Sequence, residues 1–390
     1  MTFDDIEKIR KAASEAIYPI RPVDEETMAD GNFLFNAKRT NAGRQLPPYY
    51  LVYFLLVDLL IFRDLGQFEK IAWSVPIDFK GKAFLIEHRK FGVGVFAQDL
   101  TEDEPNAEII VSLVRKGVKA AEPYFDYLAE KAVNGSKLNV RNNSNKLYER
   151  YEYFMGEYKL MANEAKARSE EKVNDKVDVT TGITTSDHFP AFELRRKSRW
   201  LALATIDAFF SWTEHVFIHI SILTGKISTG MEVAELAESD WYTKYKHAIG
   251  IDDPPAKTFY DKLALIKRQL RNFIAHGAFG KRGEAFSFHS GAGAVPVLLP
   301  HKGGTNRFTL TDDLAFDDSF AMDVIEEFIR FIWTGNRGPA KVYIEDNSFP
   351  TILPWAADGT YQKAMLSNDS MEELSEYLSY QIDQSANMDW

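Results

Sequence analysis

Apolar and polar positions follow a helical period along most of the chain. From Thr2 to Tyr18 the residues Phe3, Ile6, Ile9, Ala13 and Ile17 form one stripe, with charged residues between them, and Thr2 with Asp5 has the spacing of a capping box. The longest apolar run, Tyr49 to Phe62, opens at Pro47-Pro48 and is interrupted by Asp58. It is shorter than the ~18–20 residues a membrane span requires, and it predicts a buried helix. Lys70 to Ile77, Ala83 to Glu87 and Phe91 to Phe96 then read as strands, with Asp78 to Lys82 as the turn of a hairpin. Helices follow over Ile109–Ala121 and Pro123–Ala132. Asn139 to Asn145 reads as a loop, and a longer helix carries Leu147, Tyr151, Phe154, Tyr158, Met161 and Ala165 on one side.

The segment 168–189 has a charged opening and then a Thr-rich run with little to bury, so it is expected to be a linker. Beyond it the pattern predicts four helices. The first runs from near Pro190 to Leu223 and is apolar on most faces from Leu201 onward, which marks a central or subunit-facing helix. The second is Met231 to Ile249. The third runs from about Lys257 to His276, where Gly277 stops it, and the fourth is Asp317 to Thr334. About forty residues separate the third from the fourth, with strand-like pieces at Phe286–Phe288, Val295–Leu299 and Phe308–Leu310, so a small β insertion is expected there. A strand at Lys341–Ile344 and a final helix opened by a Ser370…Glu373 capping box complete the chain. The fold class is thus mainly α, α+β overall. An α+β domain over residues 1–167 leads through the 168–189 linker into a four-helix bundle with a β insertion at 190–338, and a strand-and-helix extension occupies 339–390.

Composition narrows the chemistry. The chain has no cysteine, which excludes disulfides, cysteinyl zinc sites, iron–sulfur clusters and a thiol nucleophile. The N-terminal stripe is not a targeting signal, because charges interrupt it throughout, so a soluble cytoplasmic protein with no membrane partner is expected. The net charge of −11 argues against a uniformly basic surface, yet the positive residues are not evenly spread. From Lys257 to His289 seven cations face two acids, a local net of +5, and Arg195-Arg196-Lys197 with Arg199 opens the first bundle helix. Both stretches suit a phosphate-bearing partner, and both are also compatible with a solvated helix face.

The third helix ends in Arg271-Asn272-Phe273-Ile274-Ala275-His276-Gly277. With the helix leading into it, this segment resembles the HEPN superfamily, and the resemblance extends over about Phe189 to Thr334. It implies a helical bundle that pairs, so that two copies of the motif face one cleft. It also implies RNA cleavage without a metal or other cofactor, often in toxin–antitoxin or anti-phage systems, with a cognate antitoxin or sensor as a further partner. The chemistry suits the residues. An imidazole with a reference pKa of ~6.5 can act as general base or acid on the RNA 2′-hydroxyl and leaving oxygen. A guanidinium offers a fixed fork of donors to phosphate oxygens.

On this reading His276 and Arg271 are catalytic with Asn272 as a hydrogen-bonding partner, Glu214 orients His276, and Lys267, Arg268, Lys281 and Arg282 bind RNA. At ~100° per residue, Arg271 lies about 140° around the helix from His276, so a straight helix does not aim both at one point. A long arginine reach, a loosened helix end or a partner subunit would bring them together. Each residue also has an ordinary structural account: histidine in a last turn suits the helix dipole, glycine is a common stop, and Arg271 could bond a carboxylate.

Three other constellations stand in the chain. His215 and His219 are i,i+4 neighbours, but Glu214 precedes rather than follows the first, so core or interface roles fit better than a zinc site. Gly92-x-Gly94 lacks the following helix of a dinucleotide fingerprint. Asp78 with Glu87-His88-Arg89 is similar to a metal-dependent nuclease core, with arginine in place of the lysine. The leading function is therefore a metal-independent endoribonuclease. A non-catalytic dimeric module binding RNA, a nucleotide or a protein is the second reading, and a hairpin metal nuclease the third.

Overall fold

The computed structural model describes residues 2–29, 31–179, 182–276, 286–291, 293–297 and 318–388. Side chains are described throughout these except at 174–179, 182–187, 269, 271–276, 286–288 and 294–297. The chain is mainly helical and divides into two compact units, residues 1–135 with 376–390, and residues 136–375. No helix among the described residues is long and apolar enough to cross a membrane.

The first unit opens with α1 (Phe3–Ile17), whose capping box forms as its sequence predicts, Thr2 and Asp5 exchanging side-chain and backbone bonds. Strand β1 (Ile20–Pro22), the short helix α2 (Phe33–Asn36) and strand β2 (Lys38–Arg39) follow. The apolar run forms α3 (Tyr49–Tyr53), continuing as a π-helical stretch Phe54–Leu59 that buries Leu55, Leu56 and Leu59. Strands β3 (Ile71–Phe79), β4 (Lys82–Arg89) and β5 (Gly92–Ala97) lie at the predicted places, each about one or two residues longer or shifted. Together they make an antiparallel sheet in the order β1-β3-β4-β5-β2.

Both faces of this sheet are covered, which explains why β3 and β4 are almost continuously buried rather than alternating. One face packs Val75, Ile77, Phe84, Ile86 and Val95 against α1, the π-helical stretch and α4 (Leu100–Ala120); the other packs Leu85 and Phe96 against Phe33 and Ala37. Helix α4 begins nine residues before the apolar stripe that signals it, because Asp99 caps it by accepting the Thr101 and Glu102 amides. Helix α5 (Glu122–Asn134) completes the chain's first run through this unit.

In the second unit, strand β6 (Asn139–Val140) and α6 (Ser144–Ala167) precede a β7 (Val173–Val179) to β8 (Gly182–His188) hairpin, and α7 (Pro190–Leu223) follows. The expected linker is therefore a paired hairpin, and the unit boundary falls at 135/136, because α6 packs along α7. Helix α7 is central: Phe209, Trp212, Phe217 and Ile220 are fully or almost fully buried.

The second bundle helix is two helices, α8 (Gly230–Glu238) and α9 (Trp241–Ala248), since Asp240 accepts the Thr243 amide at 2.8 Å and starts a new helix. Helix α10 (Pro254–His276), the hairpin β9 (Phe286–Ser290) and β10 (Gly293–Val297), and α11 (Asp318–Ile332) follow in the predicted order. The Phe308–Leu310 piece lies outside the described residues.

The strand expected at Lys341–Ile344 is instead helical. Pro339 sits in the first turn of α12 (Gly338–Lys341), a position its fixed φ favours, and the chain runs on as a π-helical turn Val342–Asp346. The strand in this region is β11 (Thr351–Ile352), paired with β6 inside the expected Asn-rich loop. Short helices α13 (Leu353–Ala357) and α14 (Thr360–Ala364) lead to α15 (Asn368–Asn387), inside which the second unit boundary falls. Ser367 rather than Ser370 opens α15, its hydroxyl accepting the Ser370 amide at 3.1 Å.

Candidate functional site

Helix α10 carries the Arg271…His276 segment, and its sequence dictates how it packs. Pro254 and Pro255 open it, and Leu263, Ile266 and Leu270 form its buried stripe. Phe259 packs on Phe328 and Phe331 of α11, with ring centroids 5.6 and 4.8 Å apart. Arg271, Asn272 and His276 occupy the last two turns, and the backbone stays helical through His276. The side chains of these three residues lie outside the described set, as do Lys281 and Arg282 entirely. Arg268 is exposed one turn earlier.

The described chemistry nearest the motif centres on Lys267, which shares a helix edge with position 271 at i,i+4 spacing. Its ammonium donates to Glu214 Oε1 of α7 at 3.3 Å and lies 4.5 Å from the centroid of the Phe210 ring. Glu214 Oε2 accepts from Lys244 of α9 at 3.0 Å, and the Lys244 side chain is only 6% exposed. One carboxylate thus gathers two ammonium groups from two helices, leaving a local net charge of +1. Glu214 stands level with Lys267, and His276 is nine residues, about 13.5 Å, further along α10. What Glu214 orients among the described side chains is Lys267 and Lys244.

Glu214→Gln should therefore weaken the bundle by about 2–4 kcal/mol, because it strands the buried Lys244 cation without its counter-charge. Urea unfolding would measure this, and an unchanged midpoint would show that Lys244 finds water or another acceptor.

His215 and His219 also lie on α7. His215 Nε2 accepts the Asn143 amide at 2.8 Å, so it carries no proton. The adjacent His219 Nε2 lies 3.1 Å away, and His219 Nδ1 is hydrogen-bonded with Thr351 Oγ1 at 3.0 Å. Burial drives both imidazoles well below the ordinary value, His215 to about 4, and His219, helped by its neighbour, to about 3. Alongside, Trp212 Nε1 donates to Ser144 Oγ at 3.0 Å and to Glu345 Oε1 at 3.1 Å, and burial raises the Glu345 pKa. This is a satisfied polar seam joining α6, α7 and β11. The described residues hold no group of three carboxylate or imidazole ligands suited to a metal.

The hairpin residues do not converge. Register pairs Asp78 with Ala83 and Glu87 with Ser74, so the two carboxylates are four residues, about 13 Å, apart along the strands. Asp78 bonds Arg21 and Thr27, at 3.1 and 2.9 Å, and Glu87 bonds Ser74 and Arg89, at 2.8 and 2.7 Å. Gly94 of the rejected dinucleotide pattern sits in β5 beneath Arg39, where a Cβ would come within 2.5 Å of the guanidinium.

The first unit also has an open cleft of about 640 Å³ that the sequence did not flag, walled by Tyr49, Tyr50, Tyr53, Trp73 and His88 with Asp64. His88 stacks on Tyr49 with centroids 4.1 Å apart, and burial together with the nearby Arg39 lowers its pKa, so it is neutral. The only available signal was the bunching of aromatics at Tyr49, Tyr50, Tyr53 and Phe54 within one predicted helix.

Compared with family models, curated proteins and solved structures, the chain matches none.

Proposed function

We propose that the second unit is a metal-independent endoribonuclease of HEPN type in which Arg271 and His276 act on the phosphodiester and two copies pair to complete the site. The observation that carries this reading is that the Arg-Asn-x-x-x-His segment falls on the last two turns of a helix packed in a helical bundle. In the proposed chemistry, His276 takes the proton of the 2′-hydroxyl or returns one to the leaving oxygen. Arg271 holds the charge that builds on the phosphate, and Asn272 supplies a supporting hydrogen bond. The local excess of cations supports an anionic substrate, with Lys267 held one turn before Arg271 by the Glu214 carboxylate and Arg268 open to solvent. The first unit would select or sense, and a toxin or defence role with a cognate partner is part of the same proposal.

Incubation with single-stranded RNA in excess EDTA tests it. The expected result is internal cleavage leaving 2′,3′-cyclic phosphate ends. Retained RNA binding with no new ends would favour a binding module, and activity that returns only with a divalent cation would contradict the proposal.

A further inference from the structure

The N-terminal third of α7 presents a surface that the described bundle core does not use. Ala191, Leu194, Ser198 and Ala202 face inward and are buried, and between them Phe192 is 65% and Trp200 60% exposed. Phe192, Arg196 and Trp200 recur every four residues and so form one outward stripe about 12 Å long. The Arg196 guanidinium lies 5.5 Å from the Trp200 ring centroid, and Arg195 lies 5.9 Å from that of Phe192. Lys197 is spent on Glu193 at 2.8 Å, whereas Arg195 and Arg196 make no ion pair among the described residues.

The stripe also points somewhere. Lys267 of α10 meets Glu214 and Phe210 of α7, whereas Tyr260, earlier on α10, packs on Tyr245, which packs on Phe217. Helix α10 therefore runs antiparallel to α7 where the two meet, and nine further residues carry its end about 13.5 Å beyond Lys267, in the direction of the N-terminal part of α7.

We infer that Phe192, Arg195, Arg196 and Trp200 form a stacking track on which unpaired bases of single-stranded RNA lie as the strand approaches the end of α10. Exposed rings accept bases of any identity on their faces, and the guanidiniums between them meet the phosphates. A second copy of this chain is the poorer occupant, because a two-fold contact through this stripe would bring its arginines against themselves. The choice of RNA rests on the ribonuclease reading; the track does not depend on cleavage occurring.

The test uses a 5′-fluorescein-labelled 16-nucleotide single-stranded RNA and its blunt duplex, with binding read by anisotropy in EDTA on the His276→Ala protein so that the probe stays intact. The double variant F192A/W200A should weaken single-strand binding about tenfold or more while duplex binding, already weaker, does not change. In the otherwise wild-type chain the same pair should raise KM and leave kcat at saturating RNA. R195Q/R196Q should flatten the log–log salt dependence by about 1.4, from two lost phosphate contacts on a single strand. Unchanged single-strand affinity in F192A/W200A overturns the track even if cleavage is intact. So does a loss of dimer mass by light scattering with RNA affinity unaltered, which assigns the stripe to a second copy. Absence of any RNA binding overturns both readings, and track-dependent binding without cleavage upholds the track while the ribonuclease reading fails.

Discussion

His276→Ala and Arg271→Ala should each lower RNA cleavage by about 10²–10⁴-fold while leaving the bundle folded. The size follows from the roles. Under the proposed mechanism, loss of the imidazole removes the group that shuttles the proton, and loss of the guanidinium leaves the developing phosphate charge to water. Neither position belongs to the stripe of Leu263, Ile266 and Leu270 that anchors α10, so circular dichroism and the thermal midpoint should barely move. Arg271→Lys should restore little, because a single ammonium cannot reproduce the two-pronged geometry of the fork. Asn272→Ala should cost less than either. Wild-type rates in either alanine variant, or losses that track unfolding, would remove these residues from the chemistry.

The second large effect is on stability, and its sign follows from the buried histidines. In the fold His215 and His219 titrate near 4 and 3, and in the unfolded chain near 6.5. Between those values the unfolded chain binds protons that the fold refuses. Stability is therefore fully present above pH 6.5 and falls as pH drops from there toward 4, by about 1.4 kcal/mol per pH unit for each proton. The geometry explains the refusal: a proton on His215 Nε2 would face the Asn143 amide, itself a donor. Glu345 acts in the opposite sense, since its raised pKa contributes stability below about 4.5 that is lost as pH rises.

Comparison with His215→Gln cancels the Glu345 contribution. That variant keeps an acceptor for Asn143, and its stability should depend less steeply on pH between 6.5 and 4 by about one proton. Urea titrations followed by tryptophan fluorescence report mainly on this unit, which holds five of the seven tryptophans. Parallel pH slopes for the two proteins would contradict the assignment.

Some of this architecture is readable from residues alone. Helices α1, α7, α10 and α11 and the β3–β4–β5 meander follow from period and turn chemistry, and so does the capping box at Thr2 and Asp5. What misled were segments whose fate depends on distant partners. The stretch 168–189 looks like a linker because it buries little, yet its two halves pair with each other. Lys341–Ile344 has the composition of a strand, but Pro339 and the burial of Tyr343 and Ile344 favour helix. Glu214 has no local sign that Lys244 and Lys267, 30 and 53 residues on, will claim its carboxylate.

By itself, then, the sequence determined where most elements form, the absence of thiol chemistry, and that an arginine and a histidine end a bundle helix, since these are local matters of period, capping and residue type. Tertiary structure alone decided the boundary at 135/136, the pairing of α6 with α7, the separation of Asp78 from Glu87, and the exposure of Phe192 and Trp200. Register, burial and convergence are set by which surfaces meet, and a linear pattern carries each surface without saying what will cover it.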